Sequence, residues 1–264
     1  MTKKQYYFLF AINLILLAAA LCFARYSNFD VELQKHFFNQ DTGEWLIDAD
    51  EPIKRFYFYN LPKILLGLTI AAFLVLSILG FKSENQKKNN QFFFKFLFKN
   101  QFFYKNRHKF MLIFLGLALI PLIVGNIKKF TNIYCPNQLA LYSGEYPHFR
   151  IFEEKTADFK QLQCQKSPHG EILHGECDKG QCFPAGHPVT AFALVILFFA
   201  LKSTFWRYFW LVSSISLGWV LGAYQMLKGA HFFSHVLVSM ILCFLVAAII
   251  EMLYNGKVKE KNSR

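Results

Sequence analysis

Charged side chains are nearly missing from six stretches of this 264-residue chain, near 6–24, 61–81, 110–127, 188–201, 206–224 and 232–254. With 54% hydrophobic and 18% aromatic residues and a mean hydropathy of +0.26, that shortage excludes an ordinary soluble globular fold. Acidic residues are also few, 17 against 29 basic ones, and the deficit is uneven along the chain. Internal repeats and extended low-complexity tracts are absent, which excludes solenoid arrays. The first apolar run ends Ala24-Arg25-Tyr26 without a clear small-residue cleavage site, so it is expected to stay in the mature protein.

Most of the six stretches approach the ~20 residues that carry a helix across a bilayer core. The expected fold is therefore all-α: one membrane-embedded domain over 1–264, six transmembrane helices in a bundle, and a long outer loop, 128–187, between the third and fourth. Stretch 188–201 is short by itself, so its helix is expected to start at the His187 turn and run on through Lys202 and Ser203, whose polar ends can reach back to the interface. With both termini in the cytoplasm, that side takes 16 of the 29 basic residues and only Glu84, Glu251 and Glu260 of the acidic ones. The excess of Lys and Arg fixes the orientation, and the +12 net charge is then a topological signal rather than a nucleic-acid footprint.

Cys22 and Cys243 fall inside spans and read as small buried hydrophobes. Cys135, Cys164, Cys177 and Cys182 fall in the outer loop, where an oxidising face favours one or two disulfides of undetermined pairing; a zinc site with His169 and His174 is the alternative. Segment 25–60, with Trp45 and Phe56-Tyr57-Phe58-Tyr59, is expected to lie on the membrane and shape access to a site. Its acidic run Asp48, Asp50, Glu51 reads as a solvated turn before Pro52. Segment 82–109 interleaves Phe92, Phe93, Phe94, Phe96, Phe98 and Phe102 with Lys95, Lys99, Lys105 and Arg107, and reads as an interfacial element on an anionic leaflet. The bilayer is the expected partner, and no nucleic acid.

Lys128, the Pro184-Ala185-Gly186-His187 turn and the His231…His235 pair each stand where an apolar run meets water, and the topology brings all three to one face. Phosphoryl transfer through an enzyme-bound intermediate needs a nucleophile, an acid for the leaving oxygen and donors for the equatorial oxygens. His231, after the small residues Gly229-Ala230, can be the nucleophile, with His235 one helical turn on to orient it. His187 can supply the proton, and the backbone N–H groups beside it open a helix. Lys128, Lys129 and Lys228 add positive charge. Three imidazoles could instead hold zinc, but no carboxylate accompanies them and the nearby lysines would repel a cation; no metal and no cofactor is expected.

These residues resemble the type 2 phosphatidic acid phosphatase superfamily of integral-membrane lipid phosphatases. Its motifs are Lys, six residues, Arg-Pro; Pro-Ser-Gly-His; and Ser-Arg, five residues, His, three residues, Asp. Lys128 with Cys135-Pro136, then 184–187, then Gln225…His231…His235 reproduce the spacing and order over 128–235. Cys135 and Gln225 stand where the family has Arg, Ala185 where it has Ser, and His235 where it has Asp. The resemblance implies that His231 forms a phosphohistidine and His187 protonates the leaving oxygen. It implies that Lys128 and the Gly186 backbone N–H clamp the phosphate, with Ala185, Gln225 and Cys135 at the remaining clamp positions. Lys228, Lys129 and Arg150 are candidates to replace the missing guanidinium charge. The run 229–234 and the cysteine-rich insert resemble the bacterial branch that includes lipid A phosphatases. The implied function is removal of phosphate from a lipid phosphomonoester or pyrophosphate, of the lipid A or undecaprenyl pyrophosphate type, at the periplasmic face of a bacterial inner membrane. A lipid-to-lipid phosphotransferase and a catalytically silent lipid-binding member stay open, and the sequence fixes no oligomeric state.

Overall fold

The computed structural model describes residues 3–88, 101–156 and 179–263. The expectations for Cys164, Cys177, His169, His174 and for 89–100 lie outside the described residues. Helix α1 is Lys3–Tyr26, followed by the short α2, Phe29–Lys35, and a two-stranded hairpin, β1 Phe38–Asn39 and β2 Glu44–Trp45. Helix α3, Pro52–Arg55, starts with proline at its first turn, where no intrahelical donor is lost, and passes through a π-turn at Phe56–Asn60 into α4, Leu61–Lys88. Helix α5 is Gln101–Thr131. Then come α6, Val189–Phe192, a 3-10 turn Ala193–Val195, α7, Ile196–Ala200, α8, Thr204–Leu227, and α9, Phe233–Ser263.

Among the described residues five helical stretches are long and apolar enough to cross a membrane: Lys4–Tyr26, Pro52–Lys82, Phe102–Thr131, Thr204–Leu227 and Phe233–Gly256. The protein is thus a multi-pass, mostly helical membrane protein. Large apolar side chains such as Phe8, Ile15, Leu65, Val75, Val212 and Val220 stay exposed on these helices, as lipid-facing residues do.

The expected fourth span departs from that pattern. Its apolar helix covers Val189–Ala200 only, about 18 Å at 1.5 Å per residue, and does not continue through Lys202 and Ser203. Leu201 and Ser203 are extended instead, and α8 begins at Thr204. The short helix is the buried centre of the bundle: Val189, Phe192, Ala193, Val195 and Ile196 are all at most 1% exposed. It is seated by two close approaches, since a Cβ on Gly116 would meet Ile196 at 2.1 Å and one on Gly218 would meet Phe192 at 2.1 Å. An element wrapped by α5, α8 and α9 has no lipid to span, so its length is set by packing rather than by bilayer thickness.

The bundle has two chemically different ends. Lys128 lies in the last turn of α5, His187 just before α6, Lys228 just after α8 and His231 just before α9. Lys109, Lys202, Arg207 and Glu251 line one cavity farther along the bundle; 19 residues of helix between Lys109 and Lys128 make about 28 Å. Part of the outer loop has its own small core, in which Tyr134, Leu139, Tyr142 and Tyr146 pack with Phe38 and Phe232.

Candidate functional site

The turn that carries His231 is fixed by its backbone. Helix α8 ends with Gly229 in the left-handed region at φ +72; its N–H donates to the Met226 carbonyl at 3.0 Å, and the Ala230 N–H to the Gln225 carbonyl at 2.8 Å. This reciprocal pair satisfies the last carbonyls of the helix and needs a glycine at that position. The space is closed as well: a Cβ on Gly229 would sit 2.3 Å from the Trp45 indole. Segment 25–60 caps the same helix end, with Gln34 Nε2 donating to the Met226 carbonyl at 2.6 Å and the Ile47 N–H to the Leu227 carbonyl at 3.3 Å. Asp30 accepts from the Ser234 N–H at 2.9 Å and from its hydroxyl, holding the start of α9 with a carboxylate where the helix dipole favours one. Burial pushes the Asp30 carboxyl up from its ordinary value, and the two Ser234 donors oppose that shift.

The His187 and His231 rings lie 5.9 Å apart, centroid to centroid. His231 is 5% exposed. Its Nδ1 sits 3.2 Å from Sγ of Cys182, which is disulfide-bonded to Cys135. A disulfide sulfur carries no proton and can only accept, so the contact holds a proton on Nδ1 and leaves the Nε2 lone pair free for attack. Burial and the Lys128 charge pull the His231 pKa down to about 3. His187 falls to about 2 through burial, then through the charges of His231, Lys63, Lys228 and Lys128. Both imidazoles are therefore neutral at pH 7 in a pocket that strongly favours an anion.

Several expected members meet there. Lys128 Nζ is 4.0 Å from where a Cβ on Gly186 would stand, so its ammonium lies over the Gly186-His187 turn. The Lys228 ammonium lies over the Tyr59 and Tyr224 rings at 5.4 and 5.1 Å. Lys63 was not anticipated from the sequence, where Tyr59 reads only as part of an interfacial segment that shapes access to a site. The Tyr59 ring packs 4.4 Å from His187, and the Lys63 ammonium sits 3.6 Å above that ring. The available signal was a lysine four residues beyond Tyr59, at the mouth of the second span.

Other expected members do something different. His235 is 6.0 Å from His231, centroid to centroid, and its Nδ1 has no hydrogen-bond partner among the described residues; its ring packs edge-on against Phe183 and Phe232. The group that His231 Nδ1 meets is thus Cys182 Sγ rather than His235. Cys135 is spent in the disulfide and offers no donor to a phosphate. Ala185 is fully buried, and its N–H donates to the His235 carbonyl at 3.1 Å, so that N–H is not free for a ligand. Gln225 is fully buried, both its side-chain amide atoms are without a partner among the described residues, and its carbonyl serves the Gly229 turn. Lys129 is exposed, and Arg150 is bonded to the Arg25 carbonyl at 3.3 Å and to Asn28, so neither replaces the guanidinium.

Cys135, Cys182 and His231 place their potential ligand atoms within 4.8 Å of one another. The two sulfurs are bonded to each other, and a metal would need them as thiolates.

No curated protein and no solved structure matches the chain. The family profile described as PAP2 superfamily matches residues 109–258, more than half of the sequence, and contains Lys128, His187 and His231. A helical membrane bundle with two facing histidines among lysines fits the phosphatase chemistry of that group, and the chain belongs to the PAP2 superfamily.

Proposed function

We propose that the protein is a lipid phosphatase that cleaves a phosphomonoester or pyrophosphate at the periplasmic face of a bacterial inner membrane, lipid A and undecaprenyl pyrophosphate being the candidate substrates. The observation that carries this reading is the His187–His231 pair facing each other under the charges of Lys63, Lys128 and Lys228. His231 Nε2 attacks phosphorus, the P–O bond to the lipid breaks, and His187 relays the proton carried in by the substrate monoanion to the departing oxygen. A water then attacks the phosphohistidine, passes its proton through His187 to the departing phosphate, and His231 is restored. The three ammonium groups bind the equatorial oxygens, where charge is held through the transition state.

A lipid chain has a place beside this chemistry. An apolar cavity of about 820 Å³ runs between α4, α5 and α8, from Tyr57 and Phe58 past Leu61 and Thr69 to Phe73 and Phe102. Leu61 to Phe73 alone is about 18 Å of helix. Thr190 lines the cavity and its hydroxyl donates to the His187 carbonyl at 2.9 Å, so the apolar groove opens within one turn of the proton donor.

Phosphate release from a panel of lipid A, undecaprenyl pyrophosphate and phosphatidate tests the reading. The expected result is release from at least one lipid, abolished in His231→Ala and lowered about 10²–10⁴-fold in His187→Ala. Absence of release from every lipid phosphate between pH 4 and 9 would overturn it.

A further inference from the structure

A second polar cavity, of about 390 Å³, opens at the end of the bundle opposite His187 and His231. It is lined by Lys109 from α5, Lys202 between α7 and α8, Arg207 from α8, and Glu251 and Asn255 from α9. The Lys109, Lys202 and Arg207 side chains thus bring three cations to one cavity. Glu251 is 4% exposed; its Oε1 accepts from Asn255 at 2.7 Å and the Tyr6 hydroxyl bonds the same carboxylate, whereas Oε2 is buried with no hydrogen-bond partner among the described residues. Basic residues at a bilayer boundary are common, and Lys109, Lys202 and Arg207 alone would read as such anchors. A cavity between them that also contains an unpaired buried carboxylate oxygen is different, because an orphaned acceptor is costly unless something donates to it.

Three cations lining one cavity call for an anion, and the unpaired carboxylate oxygen calls for a donor. From this pairing we propose that the cavity binds a phosphate that also carries an N–H donor, the phosphoethanolamine headgroup being the simplest such chemistry. The phosphate oxygens take Lys109, Lys202 and Arg207, and the ammonium donates to Glu251. The site is about 28 Å from the phosphate-transfer site along α5, so it is a holding site and not part of the reaction.

Glycerophosphoethanolamine and glycerophosphocholine separate the two halves of this recognition, since both carry the same charges and only the first has N–H donors. Titration of the full-length protein in detergent is expected to give binding of the first at least about tenfold tighter than of the second. Lys202→Gln and Arg207→Gln should each weaken it about tenfold, and Glu251→Gln should erase the preference between the two headgroups. Nanodiscs of phosphatidylethanolamine or phosphatidylcholine, analysed by native mass spectrometry, identify the source. Retention of the lipid with weak binding of the free headgroup assigns the site to a membrane lipid, and equal strength assigns it to a soluble phosphate. Lys202 is exposed, so its variant tests the site without a core change. Equal binding of the two headgroups, or binding untouched by Lys202→Gln and Arg207→Gln, or no binding in either format, would overturn the proposal.

Discussion

Gly229→Ala is the sharpest single perturbation of the site, because two independent costs meet at that residue and neither touches the reacting atoms. The backbone at φ +72 is left-handed, which costs an alanine about 1–2 kcal/mol. The new Cβ would sit 2.3 Å from the Trp45 ring, and overpacking of that kind costs about 1–3 kcal/mol as the indole or the turn gives way. The expected loss of stability is thus about 2–5 kcal/mol. His231 lies two residues on, so a shift of the turn moves the nucleophile, and a displacement near 1 Å lowers kcat about 10²-fold. Thermal unfolding in detergent gives the first quantity and single-turnover phosphate release the second. The double variant Trp45→Ala/Gly229→Ala keeps the dihedral cost and removes the clash, so it should be less destabilised by Gly229→Ala than the Trp45-containing chain, by about 1–3 kcal/mol. Full activity in Gly229→Ala, or no difference between the two backgrounds, would refute the reasoning.

Lys63→Gln should lower kcat/KM about 10–100-fold through a lost charge-assisted contact to phosphate, whereas Lys129→Gln, at an exposed side chain, should leave it within about twofold. Replacing Cys135 and Cys182 together by serine opens a loop of 47 residues, a loss of about 4 kcal/mol by chain entropy or about 10 °C in Tm. The same variant removes the sulfur beside His231 Nδ1, so kcat should fall more than KM changes. The pH profile carries a sign that the burial of the histidines dictates. With His187 near 2 and His231 near 3, both are already neutral at pH 4, so the proton for the leaving group must arrive on the substrate monoanion. For a phosphomonoester, kcat/KM should then stay level from pH 4 to about 6 and fall tenfold per pH unit above the second phosphate ionisation near 6. A loss of activity on the acid side, centred near 6.5, would contradict neutral histidines in the free enzyme.

The long spans were legible because an apolar run of 20 or more residues has few other uses, and the order Lys128, His187, His231 was legible because motif spacing survives without coordinates. The short helix Val189–Ala200 was not, since an apolar sequence reads alike whether lipid or protein surrounds it; only Gly116 and Gly218 facing Ile196 and Phe192 reveal a central element. The contact of Cys182 with His231 was not legible for a related reason. A separation of four residues places His235 on the same helical face as His231 only if the helix includes both, and α9 begins at Phe233. Cys182 comes from 49 residues earlier in the chain, and no local pattern announces a sulfur against an imidazole. Tyr59 and Lys63 enter the site through the π-turn at Phe56–Asn60, a backbone detail that side-chain periodicity does not encode.

The central claim is that His231 Nε2 takes the phosphoryl group. Rapid acid-free quenching of the protein with a lipid labelled with ³²P in its terminal phosphate, followed by peptide mapping, tests it most directly. A base-stable, acid-labile label on the peptide containing His231, absent in His231→Ala and accumulating in a variant slowed at the hydrolysis step, is the predicted result. Turnover with no protein-bound label at any time, or a label on another residue, would contradict it.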